Sequence, residues 1–286
     1  MRFFASLTMT NAGVRRVVGQ PRIGELDLGD DRLTEQAYWE NRWDRIKAPK
    51  EIRRDTKHQV NKELLKIFDT YLPHQERLTI LEIGGAPGQF LAYFAQYFGY
   101  LPHAIDYSTI GCQKMREAFE IANMDVTIYN RDIFSDLSDL PRFDIVFSMG
   151  FIEHFSDLDS IVGKHVELLK KQGILLLGVP NYRGISQVVL KRLAPRKLSM
   201  HNPETMDIKN WGSFEKKHGL ETIFKEYLGG FNPGRFRRCE NRTLKNLLIR
   251  FFFKLVRIFI TDRFTFLRRF NSIYWSAYLL GIYSKI

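Results

Sequence analysis

Residues 80–88 read ILEIGGAPG, an apolar run that ends on the acidic Glu82 and breaks into Gly84, Gly85, Pro87 and Gly88. Glycines between a strand and a helix let backbone approach a ligand lying over a sheet, because no side chain stands in the way. The spacing Gly84, Ala86, Gly88 departs from the G-x-G-x-x-G turn that seats a pyrophosphate on a helix N-terminus. Glu82 sharpens the difference, since a carboxylate beside the turn repels a pyrophosphate and attracts the cationic end of a ligand. Taken alone, the stretch is also compatible with a plain connection between a strand and a helix, the less favoured of the two readings. Two more acidic residues follow, Asp106 in HAIDYS 24 residues after Glu82, and Asp132 in NRDIF 26 residues further on. Each alone reads as a cap or turn residue; their order and spacing carry the signal.

The elements that must hold these residues follow from periodicity. After Pro73, short apolar runs alternate with helical patterns, the signature of a parallel sheet covered on both faces. The strands are expected at 79–83, 101–105, 126–130, 144–148 and 174–179, with helices at 88–98, 108–122 and 158–169 and an irregular piece near 134–140. The last of these helices is expected to close with the lysines of LLKKQG and with Gly173. Upstream, Ala37, Trp39, Trp43 and Ile46 share one helical face, and a second helix is expected over 57–71. Downstream come a basic helix within 180–197, a helix from NWGSF, a turn at Gly219, a strand from 221, and a final strand in the last residues. The expected fold class is therefore α/β, with a doubly wound, seven-stranded, mostly parallel sheet. Residues 1–32 are expected to form a poorly ordered arm, and 33–286 one domain.

At this point the sequence resembles the class I S-adenosylmethionine-dependent methyltransferases, whose first motif, acidic-x-Gly-x-Gly-x-Gly, is matched by Glu82, Gly84, Ala86 and Gly88 with the middle glycine replaced. The resemblance covers 33–179 well and the C-terminal third loosely. It implies a Rossmann-like methyltransferase fold with S-adenosyl-L-methionine as cofactor lying across the strand ends. It also implies that Glu82, Gly84, Gly85 and Gly88 wall the donor, and that Asp106, with Tyr107 beside it, accepts hydrogen bonds from both ribose hydroxyls. A carboxylate suits that work because it offers acceptors only. By the same resemblance Asp132 accepts from the adenine amino group, the Ile133 amide bonds a ring nitrogen, and Met149 and Gly150 pass the methionine part of the donor.

Methyl transfer from a sulfonium is an in-line displacement, so the protein contributes mainly alignment, and an oxygen acceptor must also lose its proton. His154, in FIEHF after the fourth strand, is the candidate base, because a neutral imidazole has a suitable pKa. Related small-molecule enzymes use the same Glu-His pair to contact the donor or cap a helix, and both readings of His154 stand at this stage. The Asn/Asp-Pro-Pro-aromatic tetrad of many nitrogen methyltransferases is replaced by SMGF. Ser148 and Met149 likewise lack the lysine and aspartate of ribose 2′-O-methyltransferases. Pro180, Asn181 and Tyr182 resemble the strand end of quinone and sugar O-methyltransferases, and 181–210 is expected on the acceptor side. The expected acceptor is a small or lipid-linked molecule carrying a sugar hydroxyl or a quinone phenol. The alternatives are N- or C-methylation, and a donor-fold protein serving as an RNA-binding or assembly factor.

The formal net charge of +11 points to an anionic partner, and its distribution is uneven. Residues 235–270 hold eleven Arg or Lys against Glu240 and Asp262, a local excess of +9. Arg250, Lys254 and Arg257 fall on one helical face there, opposite Leu248, Phe252, Leu255 and Phe259. Such a basic amphipathic insert suits an anionic membrane surface through 242–270, an acceptor lid, a homodimer interface or, less well, nucleic acid. Two isolated cysteines, Cys112 and Cys239, exclude a disulfide framework and a four-ligand zinc site, and no metal is expected. No early apolar run is long enough for a secretory signal. The expected location is cytoplasmic, with peripheral attachment at the inner membrane face.

Overall fold

A computed structural model describes residues 31–46, 51–233, 236, 243–258 and 270–286. Most of the expected N-terminal arm and much of the 235–270 insert, including Phe259, lie outside the described residues. Two helices, α1 (Gln36–Asp44) and α2 (Gln59–Tyr71), precede the first strand, β1 (Thr79–Ile83). The alternation then runs α3 (Gln89–Phe98), β2 (Leu101–Ile105), α4 (Thr109–Ile121), β3 (Thr127–Tyr129), β4 (Phe143–Met149), α5 (Leu158–Glu167) and β5 (Leu169–Pro180). The C-terminal third adds α6 (Ile185–Leu193), α7 (Pro195–Ser199), α8 (Trp211–Lys217), β6 (Leu220–Phe231), α9 (Leu244–Val256) and β7 (Ser276–Lys285).

Among the described residues the seven strands form one sheet in the order β3-β2-β1-β4-β5-β7-β6. Strands β1 to β5 pair in parallel and β7 runs antiparallel between β5 and β6. The strand order reverses between β1 and β4, which opens a crevice at their carboxyl ends, the usual place for a ligand in a doubly wound sheet. Alternation decides what faces what. Ile80, Ile145, Phe147 and Leu176 pack with α2, α3 and α4 through Phe68, Phe94 and Phe119, whereas Leu81, Ile83, Val146 and Leu177 pack with α5 and α8 through Val162, Trp211 and Phe214. Ser108 caps α4 by accepting from the Gly111 amide at 2.9 Å, and Asp157 caps α5 by accepting from Asp159 and Ser160 at 2.9 and 3.1 Å.

Two expectations are corrected. LLKKQG does not end a helix: α5 stops at Glu167, and β5 already starts at Leu169. Leu169 pairs with Phe143 but Ile174 pairs with Ile145, so β5 takes up extra residues in a bulge, where Gln172 has φ +60°. Lysines read as a helix end serve here as the solvent-facing part of an irregular strand. Second, Asp31 and Arg32, expected within the arm, join the domain. Arg32 bridges Phe155 as an antiparallel partner, the Leu33 amide donates to the His154 carbonyl at 2.7 Å, and the Ser156 amide donates to the Asp31 carbonyl at 2.7 Å.

Candidate active site

Each glycine of the β1 turn is required for a different reason. Gly84 has φ +65°, and a Cβ there would lie 2.1 Å from the Phe151 ring. A Cβ on Gly85 would meet the Glu82 side chain, Cγ at 2.7 Å and the carboxyl at 2.8 Å. Gly88 caps α3 in the left-handed region at φ +81°. Ala86, at the odd position, is accommodated from the other side: its methyl faces Gly111 on α4, where an added Cβ would lie 2.9 Å away. The methyl group missing at 111 makes room for the one present at 86.

Over the turn lies a cavity of about 760 Å³ at the carboxyl ends of β1, β2, β4 and β5. Of the residues expected to hold the donor, Gly84, Asp106, Tyr107, Asp132, Ile133, Met149 and Gly150 line it, as does His154. Glu82, Gly85 and Gly88 stand behind its wall. For Glu82 the cause is strand alternation: Ile83 faces the α5 side, so Glu82 points under the first turn of α3. There burial raises its carboxyl well above the usual range, against a smaller opposing effect of the Leu91 amide.

Asp106 follows β2 directly and is nearly buried. Its Oδ1 accepts from the Ser108 amide at 2.8 Å and its Oδ2 from the Ala86 amide at 3.3 Å, which ties the glycine turn to the second strand. Burial pushes its carboxyl up to about 6, more than these amides lower it. Asp132 accepts from the Phe134 amide at 2.8 Å and pairs with Arg32, whose guanidinium lies 5.3 Å from the Tyr107 ring centroid and 5.2 Å from that of Phe134.

The cavity's far end gathers side chains from β4, the segment after it and the α6–α7 region. His154 sits in a single 3₁₀ turn, Ile152–His154, and is 6% exposed. Its Nδ1 lies 2.7 Å from the Met200 carbonyl, which can only accept, so Nδ1 carries the proton and Nε2 is left with its lone pair. Burial lowers its pKa to about 4. His201 repeats the arrangement, with Nδ1 on the Lys197 carbonyl, a pKa lowered to about 3 chiefly by burial, and a ring centroid 4.5 Å from that of His154. Glu153, 1% exposed, holds Oε1 3.8 Å from His154 Nε2, and burial pushes its carboxyl up to about 8 although Lys197 opposes this. Glu153, His154 and His201 thus bring one ligand atom each within 4.8 Å of one another, and a cation held there would compete with the Lys197 ammonium for the carboxylate.

Helix α1 forms a lid over the cavity. Tyr38, Trp39 and Trp43 of α1 line the cavity, and Trp39 meets the His154 ring edge to face at 4.9 Å. The lid is held by Glu40, which accepts from the Thr109 amide at 2.8 Å, the Ile110 amide at 3.0 Å and the Ser108 hydroxyl at 3.0 Å, at the N-terminus of α4. These bonds outweigh burial and hold the Glu40 carboxyl below its ordinary pKa. Sequence reasoning missed Arg32, Glu40, Lys197 and His201 as site residues. The one signal was that Lys197 and His201 fall within 181–210, the stretch expected on the acceptor side.

A doubly wound seven-stranded sheet, with a glycine turn after β1 and acidic residues closing β2 and β3, defines a class I S-adenosylmethionine-dependent methyltransferase. The chain belongs to the methyltransferase-domain family, whose model matches residues 53–229. No curated protein sequence matches it. Among solved structures, N-methyltransferase NodS from Bradyrhizobium japonicum WM9, in complex with S-adenosyl-L-homocysteine, is similar over 87% of this chain and 98% of its own, at 14% identity and a TM-score of 0.50. Coclaurine N-methyltransferase, bound to N-methylheliamine and S-adenosyl-L-homocysteine, is similar over 78% and 72%, at 16% identity and a TM-score of 0.53. Geranyl diphosphate C-methyltransferase from Streptomyces coelicolor A3(2) is similar over 79% of each chain, at 11% identity and a TM-score of 0.54. At such identities the likeness is one of fold. The cavity's chemistry fits the family's cofactor, S-adenosyl-L-methionine, a ligand rich in hydrogen-bond donors and bearing positive charge. Asp106 and Asp132 offer acceptors on the wall, and Oε2 of Glu153, which also lines the cavity, is buried with no hydrogen-bond partner.

Proposed function

We propose that the chain methylates a hydroxyl of a small or lipid-linked acceptor, of the sugar or phenol class, with His154 as the base. In this reading Asp106 holds the ribose hydroxyls, Asp132 and the Ile133 amide hold the adenine, and the turn from Gly84 to Gly88 with Met149 and Gly150 walls the methionine part. The cofactor supplies a methyl group on a sulfonium that needs no further activation. The observation that carries the reading is the tautomer of His154: Nδ1–H is fixed on the Met200 carbonyl, so Nε2 keeps its lone pair in the wall of the cavity. A pKa of about 4 keeps that nitrogen unprotonated at neutral pH. A charged Glu153 beside the ring would raise the proton affinity of Nε2, and a cationic ligand favours that charged form of Glu153. Tyr182 and Tyr278 give this end aromatic walls suited to a ring-bearing acceptor.

The test is single-turnover transfer of a labelled methyl group to a panel of phenols, sugar hydroxyls and amines. His154→Gln is expected to slow transfer to hydroxyls about 100-fold while the affinity for S-adenosyl-L-homocysteine stays within about twofold. Transfer confined to amines, or an unchanged rate in the variant, would overturn the assignment.

A further inference from the structure

Helix α9 is oriented opposite to what packing alone would favour. Its inward side is Asn246, Ile249 and Phe253, with Asn246 buried and Phe253 set against Phe236 at a centroid distance of 4.5 Å. Its outward side is Leu244, Leu247, Leu248, Phe251 and Phe252, each between 42% and 74% exposed. An amphipathic helix on a globular domain ordinarily buries its apolar stripe. Here the stripe faces away from the domain. Residues 243–258 contain no Asp or Glu and four cations, Lys245, Arg250, Lys254 and Arg257. Three of these line a groove of about 400 Å³ beside the stripe, together with Leu247 and Phe251.

From this geometry we infer that α9 docks the enzyme on an anionic lipid bilayer. The leucines and phenylalanines enter the boundary between head groups and acyl chains, and the cations of the flanking groove meet lipid phosphates. Charge complementarity selects this occupant. In a twofold contact between copies, the stripe would bring two segments of like charge, each +9 over 235–270, against one another. A nucleic acid would gain nothing from five exposed aliphatic and phenylalanine side chains with no cation projecting between them. No helix among the described residues is long and apolar enough to cross a membrane, so the contact is peripheral. The location also has a use. Ile249 and Phe253 pack in one cluster with Leu190 and Leu193 of α6, and Leu190 lines the cavity, so one helix separates the bilayer from the far end of the site. The docking is independent of the acceptor's identity and stands if the acceptor proves water-soluble.

The experiment is flotation of the full chain with vesicles of phosphatidylcholine alone and with vesicles containing roughly one third phosphatidylglycerol. Binding is expected to the second and not the first, to weaken with salt, and to fall at least about tenfold in Phe251→Glu/Phe252→Glu. Lys245→Gln/Lys254→Gln, which leaves the apolar stripe intact, is expected to lose about fivefold for each charge removed. Both pairs are exposed, and an unchanged thermal unfolding curve checks the fold. Equal binding to neutral vesicles, or full binding by the phenylalanine variant, overturns the proposal. So does a chain that ignores vesicles but forms a dimer disrupted by the phenylalanine substitutions, or one that ignores vesicles but retains RNA.

Discussion

The contact between Ala86 and Gly111 can be tested by moving its methyl group. In an exposed helix, glycine to alanine gains about 1 kcal/mol from propensity alone. At Gly111 the new Cβ would lie 2.9 Å from Ala86 Cβ, 2.9 Å from Trp43 Cδ1 and 3.0 Å from Ser108 Oγ. All three neighbours are constrained. Ala86 belongs to the turn tied to Asp106, Trp43 is the buried residue of the lid helix α1, and Ser108 Oγ accepts from the very amide of Gly111. Overpacking a site of this kind costs about 1 to 3 kcal/mol, so Gly111→Ala should fall between no net change and about 2 kcal/mol of destabilisation. Ala86→Gly removes one of the three contacts, and in the double variant a favourable coupling of about 1 kcal/mol is expected. Urea unfolding of the four proteins measures both quantities. Titration with S-adenosyl-L-homocysteine should show affinity reduced in Gly111→Ala and largely recovered in the double variant, because Ala86 lines the cavity. If Gly111→Ala simply stabilises by about 1 kcal/mol, or the two changes add without coupling, the account of the missing glycine is wrong.

Two more expectations follow from the donor end. With the Asp106 carboxyl raised to about 6, its ionised fraction falls to about a tenth at pH 5, so the dissociation constant for S-adenosyl-L-homocysteine should rise about tenfold between pH 7 and 5. Asp106→Asn should bind weakly and flatten this dependence; an equally steep profile in the variant would assign it to another group. Glu40→Ala removes an anionic acceptor from the first turn of α4 and should cost about 1 to 2 kcal/mol in urea unfolding, together with a several-fold loss of donor affinity as α1 loosens. Unchanged affinity with lowered stability would mean that α1 plays no part in holding the donor.

The placement of Asp106 and Asp132 on the cavity wall was legible because each is fixed locally. Glu82, Asp106 and Asp132 sit at strand ends, strand ends are readable from alternation, and the turn between a strand and a helix admits few residue types. Glu82 marks the limit of that reasoning: it sits beside the turn as expected, yet alternation directs its carboxyl under α3 and not into the cavity. The lid was legible as a helix but not as a lid. Glu40 acquires its role from α4, 70 positions away along the chain, through hydrogen bonds that no periodicity announces. The bulge in β5 was missed because its lysines and Gly173 imitate a helix end, and only pairing with β4 distinguishes the two.

The part of the cavity around His154 was legible only in outline, and for a deeper reason. His154 becomes a defined tautomer only because the Met200 carbonyl, 46 residues on, lies against its Nδ1, and His201 is fixed in the same way by Lys197. Their two rings lie together beside Glu153 because the irregular stretch from Asn181 to Asn210 folds back over the end of β4. Short helices and turns without a repeating pattern build that stretch, so its side chains carry no positional code. A carboxylate after β2 can do much the same work in any enzyme of this fold, whereas an imidazole's proton is placed by whichever carbonyl happens to face it. Under the proposed function, specificity for an acceptor would reside in the segment whose geometry depends most on tertiary contact. Variation in 181–210 should change which acceptor is methylated while leaving the affinity for the donor almost untouched.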